Sequence, residues 1–266
     1  MTNPMFDLSG RVALVTGGNN GIGRAIALAY AEAGAAVAIL SRNEERNAKV
    51  LGELEAADRP ALALSVDVSD RAQLGPAFEQ VERDLGPVSI LVNNAGAAAF
   101  GGVLTLDVGE WDRIMETNLT SAFLLCQLAG RSMVKEGRGK IINVASDSIN
   151  YGWSRSVVYA VSKAGMAHLT RCLAVELGPF NVQTNTLVPG WVDTDLTQGM
   201  KAGSAYEQTV NLTPAGRWAD PADMAGTALY LASAASDYVN GATITVDGGT
   251  AVTYGALPPS RVLPEF

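Results

Sequence analysis

The chain has 266 residues, 48% of them hydrophobic, a length and composition that suit one large α/β domain with a sizeable core. Its formal net charge of -8 supplies no basic field for a nucleic-acid backbone or an anionic membrane, and no stretch is apolar enough to span a bilayer. Two cysteines, Cys126 and Cys172, and one histidine, His168, imply neither a disulfide framework nor a metal site, so a soluble, metal-free, cytoplasmic protein is expected.

Residues 12–15, Val-Ala-Leu-Val, form a short apolar run of the kind buried on both faces of a sheet, and they lead into Thr16-Gly17-Gly18-Asn19-Asn20-Gly21-Ile22-Gly23. A helix rich in Ala, Ile and Leu follows over 24–33, stops at Gly34, and gives way to a second apolar run at 36–40. This is a βαβ unit. Gly17, Gly21 and Gly23 let the backbone pass close to a pyrophosphate, with the free amides of a helix N-terminus around it. A tight turn without a ligand is the plainer alternative, and the position between buried strand and helix favours the nucleotide.

The second strand ends in Ser41-Arg42-Asn43, where an NAD-selecting fold carries an acid for the ribose hydroxyls. A hydroxyl and a guanidinium suit a 2′-phosphate instead, so NADP(H) is expected over NAD(H). The alternative leaves Arg42 solvated and brings Glu44 or Glu45 back to the ribose.

An amphipathic helix is predicted over 44–57, and a strand over 61–66 that delivers Asp67 and Val68. A helix starting at Ser69 or Asp70 runs to about residue 85, and the strand at 88–92 ends in Asn93-Asn94-Ala95-Gly96. A long helix is predicted over about 107–135, broken near Gly109, with Asn118 in its middle. An Asn there must bond something other than the helical ladder or face water.

The strand at 140–145 presents Ser146, and a helix starting near 154–156 brings Tyr159 and Lys163 one turn apart on one face. A free phenol has a pKa of about 10, so a fixed cation four residues on would make Tyr159 a usable proton donor and acceptor. The strand at 181–187 leads to Pro189-Gly190-Trp191-Val192-Asp193-Thr194, a capped helix begins at 220–223, and a last strand covers 242–246. The alternation predicts one doubly wound, Rossmann-type domain over 1–266, a parallel seven-stranded sheet with helices on both faces and its strand ends converging on one crevice.

In these motifs the chain resembles the classical short-chain dehydrogenase/reductases, from about residue 8 to 249. Residues 16–23 match that family's TGxxxGxG turn, residues 93–96 its NNAG segment, and Pro189, Gly190 and Thr194 its PGxxxT segment. Asn118, Ser146, Tyr159 and Lys163 match its catalytic tetrad. The resemblance implies Tyr159 as general acid and base, Ser146 holding the substrate oxygen, Lys163 bonding the ribose and lowering the Tyr159 pKa, and Asn118 holding a relay water. The cofactor would also meet Gly17, Asn19, Asn20, Gly21, Ile22, Gly23, Ser41, Arg42, Asn43, Asp67, Val68, Asn94, Ala95, Gly96, Pro189, Gly190, Val192 and Thr194. A homotetramer is implied too, built on the helices about 107–135 and 155–177.

Substrate choice is expected to lie in 147–156, 97–102 and a lid at about 191–216. Tyr151, Trp153 and Trp191 would line an apolar pocket that also includes Ser148, with Asp147, Asn150 and Asp193 as polar handles; a solvent-facing placement is equally compatible with the sequence. A small ketone, sugar or polyol is the expected substrate. A 3-oxoacyl group on an acidic carrier protein is the alternative, weakened by the charge of -8 and by Val175 where a basic residue is expected. A silent dinucleotide sensor or scaffold is the reading of another class. Residues about 250–266, with Pro258, Pro259 and Pro264, form a C-terminal extension unsuited to a helix.

Overall fold

Seven of the apolar runs become strands in the computed structural model, which describes residues 4–253. They are β1 (Val12–Thr16), β2 (Ala36–Ser41), β3 (Ala61–Ser65), β4 (Ile90–Asn93), β5 (Gly139–Val144), β6 (Val182–Pro189) and β7 (Thr243–Val246). All pair in parallel in the order β3-β2-β1-β4-β5-β6-β7. Parallel neighbours need crossover helices, and these cover both faces.

The helices are α1 (Gly21–Glu32), α2 (Glu44–Glu55), α3 (Arg71–Leu85), α4 (Val108–Met115), α5 (Ser121–Glu136), α6 (Val157–Leu177), α7 (Gln198–Lys201), α8 (Ser204–Leu212) and α9 (Ala222–Ala232). Side chains of β1 alternate between two cores, as the strand period of two requires. Ala13 and Val15 pack with Ile26 and Tyr30 of α1 and Met224 of α9, whereas Val12 and Leu14 pack with Phe78 of α3 and Leu125 of α5. The chain moves outward from β1 in one direction through β2 and β3 and in the other from β4 onward. A crevice therefore opens beyond the carboxyl ends of β1 and β4.

The middle of the sheet is tied by polar side chains. Asn93 Nδ2 donates to Asn143 Oδ1 at 2.8 Å and to Cys126 Sγ at 3.2 Å, and Asn143 Nδ2 donates to Thr170 Oγ1 at 2.9 Å. Two strands and two helices are thus joined beneath the crevice floor, with each bond made in a buried setting where an unmade one would be expensive.

Two helices differ most from the sequence expectation. Helix α1 begins at Gly21, so the glycine turn itself supplies its first residues. The helix expected over 107–135 is not broken near Gly109, which lies inside α4 under the Asp107 cap (Gly109 N to Asp107 Oδ1, 2.8 Å). It is interrupted instead by a π turn at Glu116–Thr120. There Thr117 Oγ1 donates to Arg113 O at 2.8 Å and Ser121 Oγ to Thr117 O at 2.6 Å, hydroxyls drawing on carbonyls of the ladder. The expected lid contains two short helices, α7 and α8, and the extension beyond residue 253 lies outside the described residues.

Candidate active site

The turn after β1 is shaped by three glycines. Gly17 and Gly21 have φ of 63° and 50°, a region that disfavours side chains. A Cβ on Gly23 would lie 2.2 Å from Gly17 O and 2.5 Å from Asn94 Nδ2, so α1 reaches the turn only because that atom is missing. The segment after β4 is laced to the same turn: Asn94 N and Ala95 N both donate to Thr16 Oγ1 at 3.0 Å, and Asn94 Nδ2 donates to Thr16 O at 2.9 Å. Asn19 Nδ2 donates to Asn47 Oδ1 at 2.9 Å, and Asn47 Nδ2 to Ser41 O at 2.9 Å, which joins the first two strand ends.

These ends enclose a cavity of about 610 Å³, within the range of small-molecule and cofactor sites. Of the expected cofactor residues, Gly17, Asn19, Asn20, Gly21, Ile22, Ser41, Arg42, Asn43, Asp67 and Val68 line one half. Asn94, Ala95, Gly96, Pro189, Gly190, Val192 and Thr194 line the other, together with Ser146, Tyr159 and Lys163. Gly23 lies beneath the turn rather than on the wall. Ser41 Oγ is buried without a hydrogen-bond partner, an orphan donor at the point where a 2′-substituent of an adenosine ribose would sit. The residues therefore fit an NADP-type dinucleotide: a cradle that a Cβ would fill, and an unused hydroxyl beside Arg42.

Sequence reasoning missed Arg46 and Thr197 on this wall. Arg46 Nη1 pairs with Asp195 Oδ2 at 2.7 Å, and Thr197 Oγ1 donates to Val192 O at 2.6 Å while its neighbour Thr194 abuts Gly21. Neither belongs to a motif, because each is recruited from a helix start or loop turn by tertiary packing.

At the other end, the π turn points Asn118 inward, fully buried. Asn118 Oδ1 accepts from Ala97 N at 2.8 Å, and Nδ2 donates to Ala97 O at 2.9 Å and to Ser162 Oγ at 3.0 Å. Both amide protons are used, so one Oδ1 lone pair remains for any further partner. Lys163 Nζ is buried, donates to Val144 O at 2.8 Å, and lies 5.9 Å from the centre of the Tyr159 ring.

The expected lowering of the Tyr159 pKa is not what this geometry produces. Burial pushes the phenol up to about 12, against the smaller opposing effect of Ser146, and the Asp147 charge pushes the same way as burial. Burial also pushes Lys163 down, to about 8. Desolvation is the largest influence in both cases, because each charge would sit in a medium that solvates it poorly.

The expected substrate residues do not line the cavity. Asp147 and Ser148 are buried in a short helical turn after Ser146, and Asn150 is exposed. Ser146 Oγ donates to Asp147 Oδ1 at 3.2 Å, and Tyr151 OH donates to Asp147 Oδ2 at 2.7 Å. Tyr151 and Trp153 have ring centres 6.0 Å apart, Trp153 meets Trp191 edge-on at 5.0 Å, and Trp191 stacks on Trp218 at 5.2 Å. Tyr206 closes the row against Trp218 at 5.0 Å. The last two were not foreseen, since isolated aromatics 206 and 218 carry no periodic signal.

The family model described as enoyl-(acyl carrier protein) reductase matches residues 17–251. The 2-dehydro-3-deoxy-D-gluconate 5-dehydrogenase of Dickeya dadantii (strain 3937) is 38% identical over 92% of this chain and 96% of its own length. The D-threitol dehydrogenase of Mycolicibacterium smegmatis is 38% identical over 92% of this chain and 94% of its own. A crystal structure of gluconate 5-dehydrogenase from Burkholderia cenocepacia J2315, in complex with NADP and tartrate, superposes with a TM-score of 0.89 at 36% identity, covering 94% of this chain and 98% of that one.

The buried ammonium has a measurable consequence for stability. Below about pH 8 the folded chain carries the Lys163 charge against its full desolvation penalty; between about 8 and 10.5 the unfolded chain holds a proton that the folded chain has released. The unfolded state binds more protons there, so this group's contribution becomes less unfavourable as pH rises. Lys163→Met is expected to raise the melting temperature at pH 7 by on the order of a few degrees, with the advantage over the parent shrinking above pH 8. Thermal melts across that pH range test this, and a variant less stable than the parent at pH 7 contradicts it.

Proposed function

The chain belongs to the classical short-chain dehydrogenase/reductase family and is an oxidoreductase, and we propose that it interconverts a small ketone and its secondary alcohol, of sugar or polyol type, with NADP(H). The observation that carries this reading is the meeting of Ser146, Tyr159 and Lys163 with the glycine cradle around one cavity. NADP(H), when bound, supplies or accepts the hydride. Ser146 Oγ holds the substrate oxygen, and Tyr159 transfers the proton to or from it. A phenol held near 12 is protonated at neutral pH, which readies Tyr159 as the acid of the reductive direction. Lys163 sits behind it as the cation that favours the phenolate when the proton has gone, and Asn118 braces the strand-end segment at Ala97 against α6. The domain reading that accompanies this is a single unit across the chain.

Preference for NADP over NAD rests on Ser41 and Arg42. The Ser41 hydroxyl has no partner among the described residues, and Arg42 is highly exposed, with its nearest carboxylate, Asp67, at 3.8 Å. Both are available to a 2′-phosphate, which a carboxylate at the same place would repel. A carrier-linked oxoacyl substrate is the weaker reading: the matching family model's description names a reductase of a carrier-linked enoyl group, and an acidic carrier meets a chain of net charge -8.

The subunit reading is a homotetramer on the two long helices. Phe123 of α5 and Val161 of α6 stand 45% and 41% exposed, apolar side chains that a second subunit would cover.

Tyr159→Phe is expected to keep NADPH binding, followed by fluorescence, while kcat falls by about 10²- to 10⁴-fold, the usual contribution of a positioned acid. Near-normal turnover of ketones by this variant would remove Tyr159 from the reaction. Arg42→Asp is expected to shift the NADPH-to-NADH ratio of kcat/KM by about tenfold to a hundredfold toward NADH, the worth of one or two charge-assisted bonds; an unchanged ratio refutes the Ser41-Arg42 argument. Light scattering is expected to return about four times the 27.7 kDa chain mass, and a monomer mass would dismiss the tetramer.

A further inference from the structure

We propose that the site is built for an uncharged polyol or ketose, and that the Asp147 carboxyl beside Ser146, with the aromatic row beyond it, discriminates against sugar acids. The inference rests on the ketone and alcohol reading above and narrows its substrate.

The first ground is the charge next to the reacting oxygen. Asp147 is only 3% exposed and its Oδ1 lies 3.2 Å from Ser146 Oγ, so whatever oxygen Ser146 holds is one hydrogen bond away from that carboxyl. Tyr151 OH donates to its other oxygen at 2.7 Å, and the two side-chain donors fit an acceptor-only, ionised group. A second carboxyl stands behind it: Asp247 packs under Gly190 and accepts from Gly249 N at 2.9 Å and Ala251 N at 2.6 Å. Burial is the largest influence on the Asp147 pKa and pushes it upward, the Tyr151 and Ser146 donors pull it down, and the Asp247 charge adds to the upward push. A substrate carboxylate placed here adds a third negative charge in a region with little water to screen it.

The second ground is that, among the described residues, the basic side chains around the site other than Arg42 already have partners. Lys201 is ion-paired with Asp193, Arg217 forks onto Asp223 at 2.6 and 3.0 Å, and Arg113, which lines the cavity with Ser146 and Tyr159, forks onto Glu110 at 2.9 and 2.8 Å. Arg46 is held by Asp195 at 2.7 Å, toward the α2 end of the cavity, and Arg155 lines a separate pocket with Asp107 and Glu110. Lys163 lies buried behind Tyr159 and donates to Val144 O.

The third ground is the aromatic row that begins at Tyr151, the hydrogen-bond partner of Asp147, and runs on outside the cavity lining. From Tyr151 through Trp153 and Trp191 to the buried Trp218, successive rings lie 5.0 to 6.0 Å apart. Trp153 and Trp191 are half-buried, so a polyhydroxylated chain extending past the cavity wall from Ser146 meets flat apolar faces that hold no charge. Asp147 then serves as an acceptor for a hydroxyl neighbouring the reacting carbon, a bond that an alcohol can make and a carboxylate cannot.

Titration calorimetry on the NADP-loaded enzyme with matched pairs, sorbitol against gluconate and threitol against threonate, tests the proposal. The neutral member of each pair is expected to bind at least about tenfold more tightly, since one charge repulsion of modest size is worth that factor. In Asp147→Asn, which keeps shape and removes charge, the acid's disadvantage is expected to shrink at least about threefold. Trp153→Ala is expected to weaken the neutral members while leaving NADP binding unchanged. Equal or tighter binding of the acids in the parent, no binding of either member, or an Asn variant with the same discrimination would each overturn the proposal. The binding order with absent turnover of neutral alcohols would instead overturn the ketone and alcohol reaction and leave the charge discrimination standing.

Discussion

The active crevice depends on how closely α1 approaches the turn after β1. Gly17 O lies 2.2 Å from where a Cβ of residue 23 would be, closer than any real side chain tolerates. With hydrogen alone at that position, the helix N-terminus meets the strand end and its free amides open into the cavity. The other strand ends are then arranged around that contact by bonds to it. Thr16 Oγ1 accepts from Asn94 N and Ala95 N, and Thr194 packs against Gly21.

At the other end of the crevice the protein accepts unfavourable electrostatics in exchange for chemistry. Lys163 is buried with a backbone carbonyl as its hydrogen-bond partner, and Asp147 is buried beside the proposed reacting oxygen. Neither arrangement is one that folding alone would select, because buried charge is penalised unless compensated. Stability comes from elsewhere: two continuous hydrophobic cores on opposite sheet faces, and the Asn93-Asn143-Thr170 network that rigidifies the central strands. The strained chemistry is thereby mounted on parts of the molecule that do not move easily.

Much of the fold was legible because its determinants are local. Short runs such as Val12 to Val15, each closed by Gly, Asn or Ser, can only be doubly buried strands, and alternating them with helices leaves few topologies. Asn118, Ser146, Tyr159 and Lys163 stood out in the sequence as a family motif. What the motif could not convey was their environment. A π turn at Glu116–Thr120 aims Asn118, and it arises from hydroxyl-to-carbonyl bonds at Thr117 and Ser121 that no hydrophobic period records. The pKa of Tyr159 was misjudged from its spacing to Lys163, since spacing reports a neighbour but not the water removed from around both.

By itself the sequence determined the sheet, the direction of its strands, the glycine cradle and the identity of the residues at the strand ends, since each follows from local pattern and steric permission. Only the tertiary structure decided which side chains share a field. It set Asp147 against Ser146, paired Lys201, Arg217 and Arg113 with carboxylates, and joined Trp191 to Trp218 across 27 positions of chain. The physical reason is that electrostatic and stacking energies depend on distance and burial in space, and separation along a chain specifies neither.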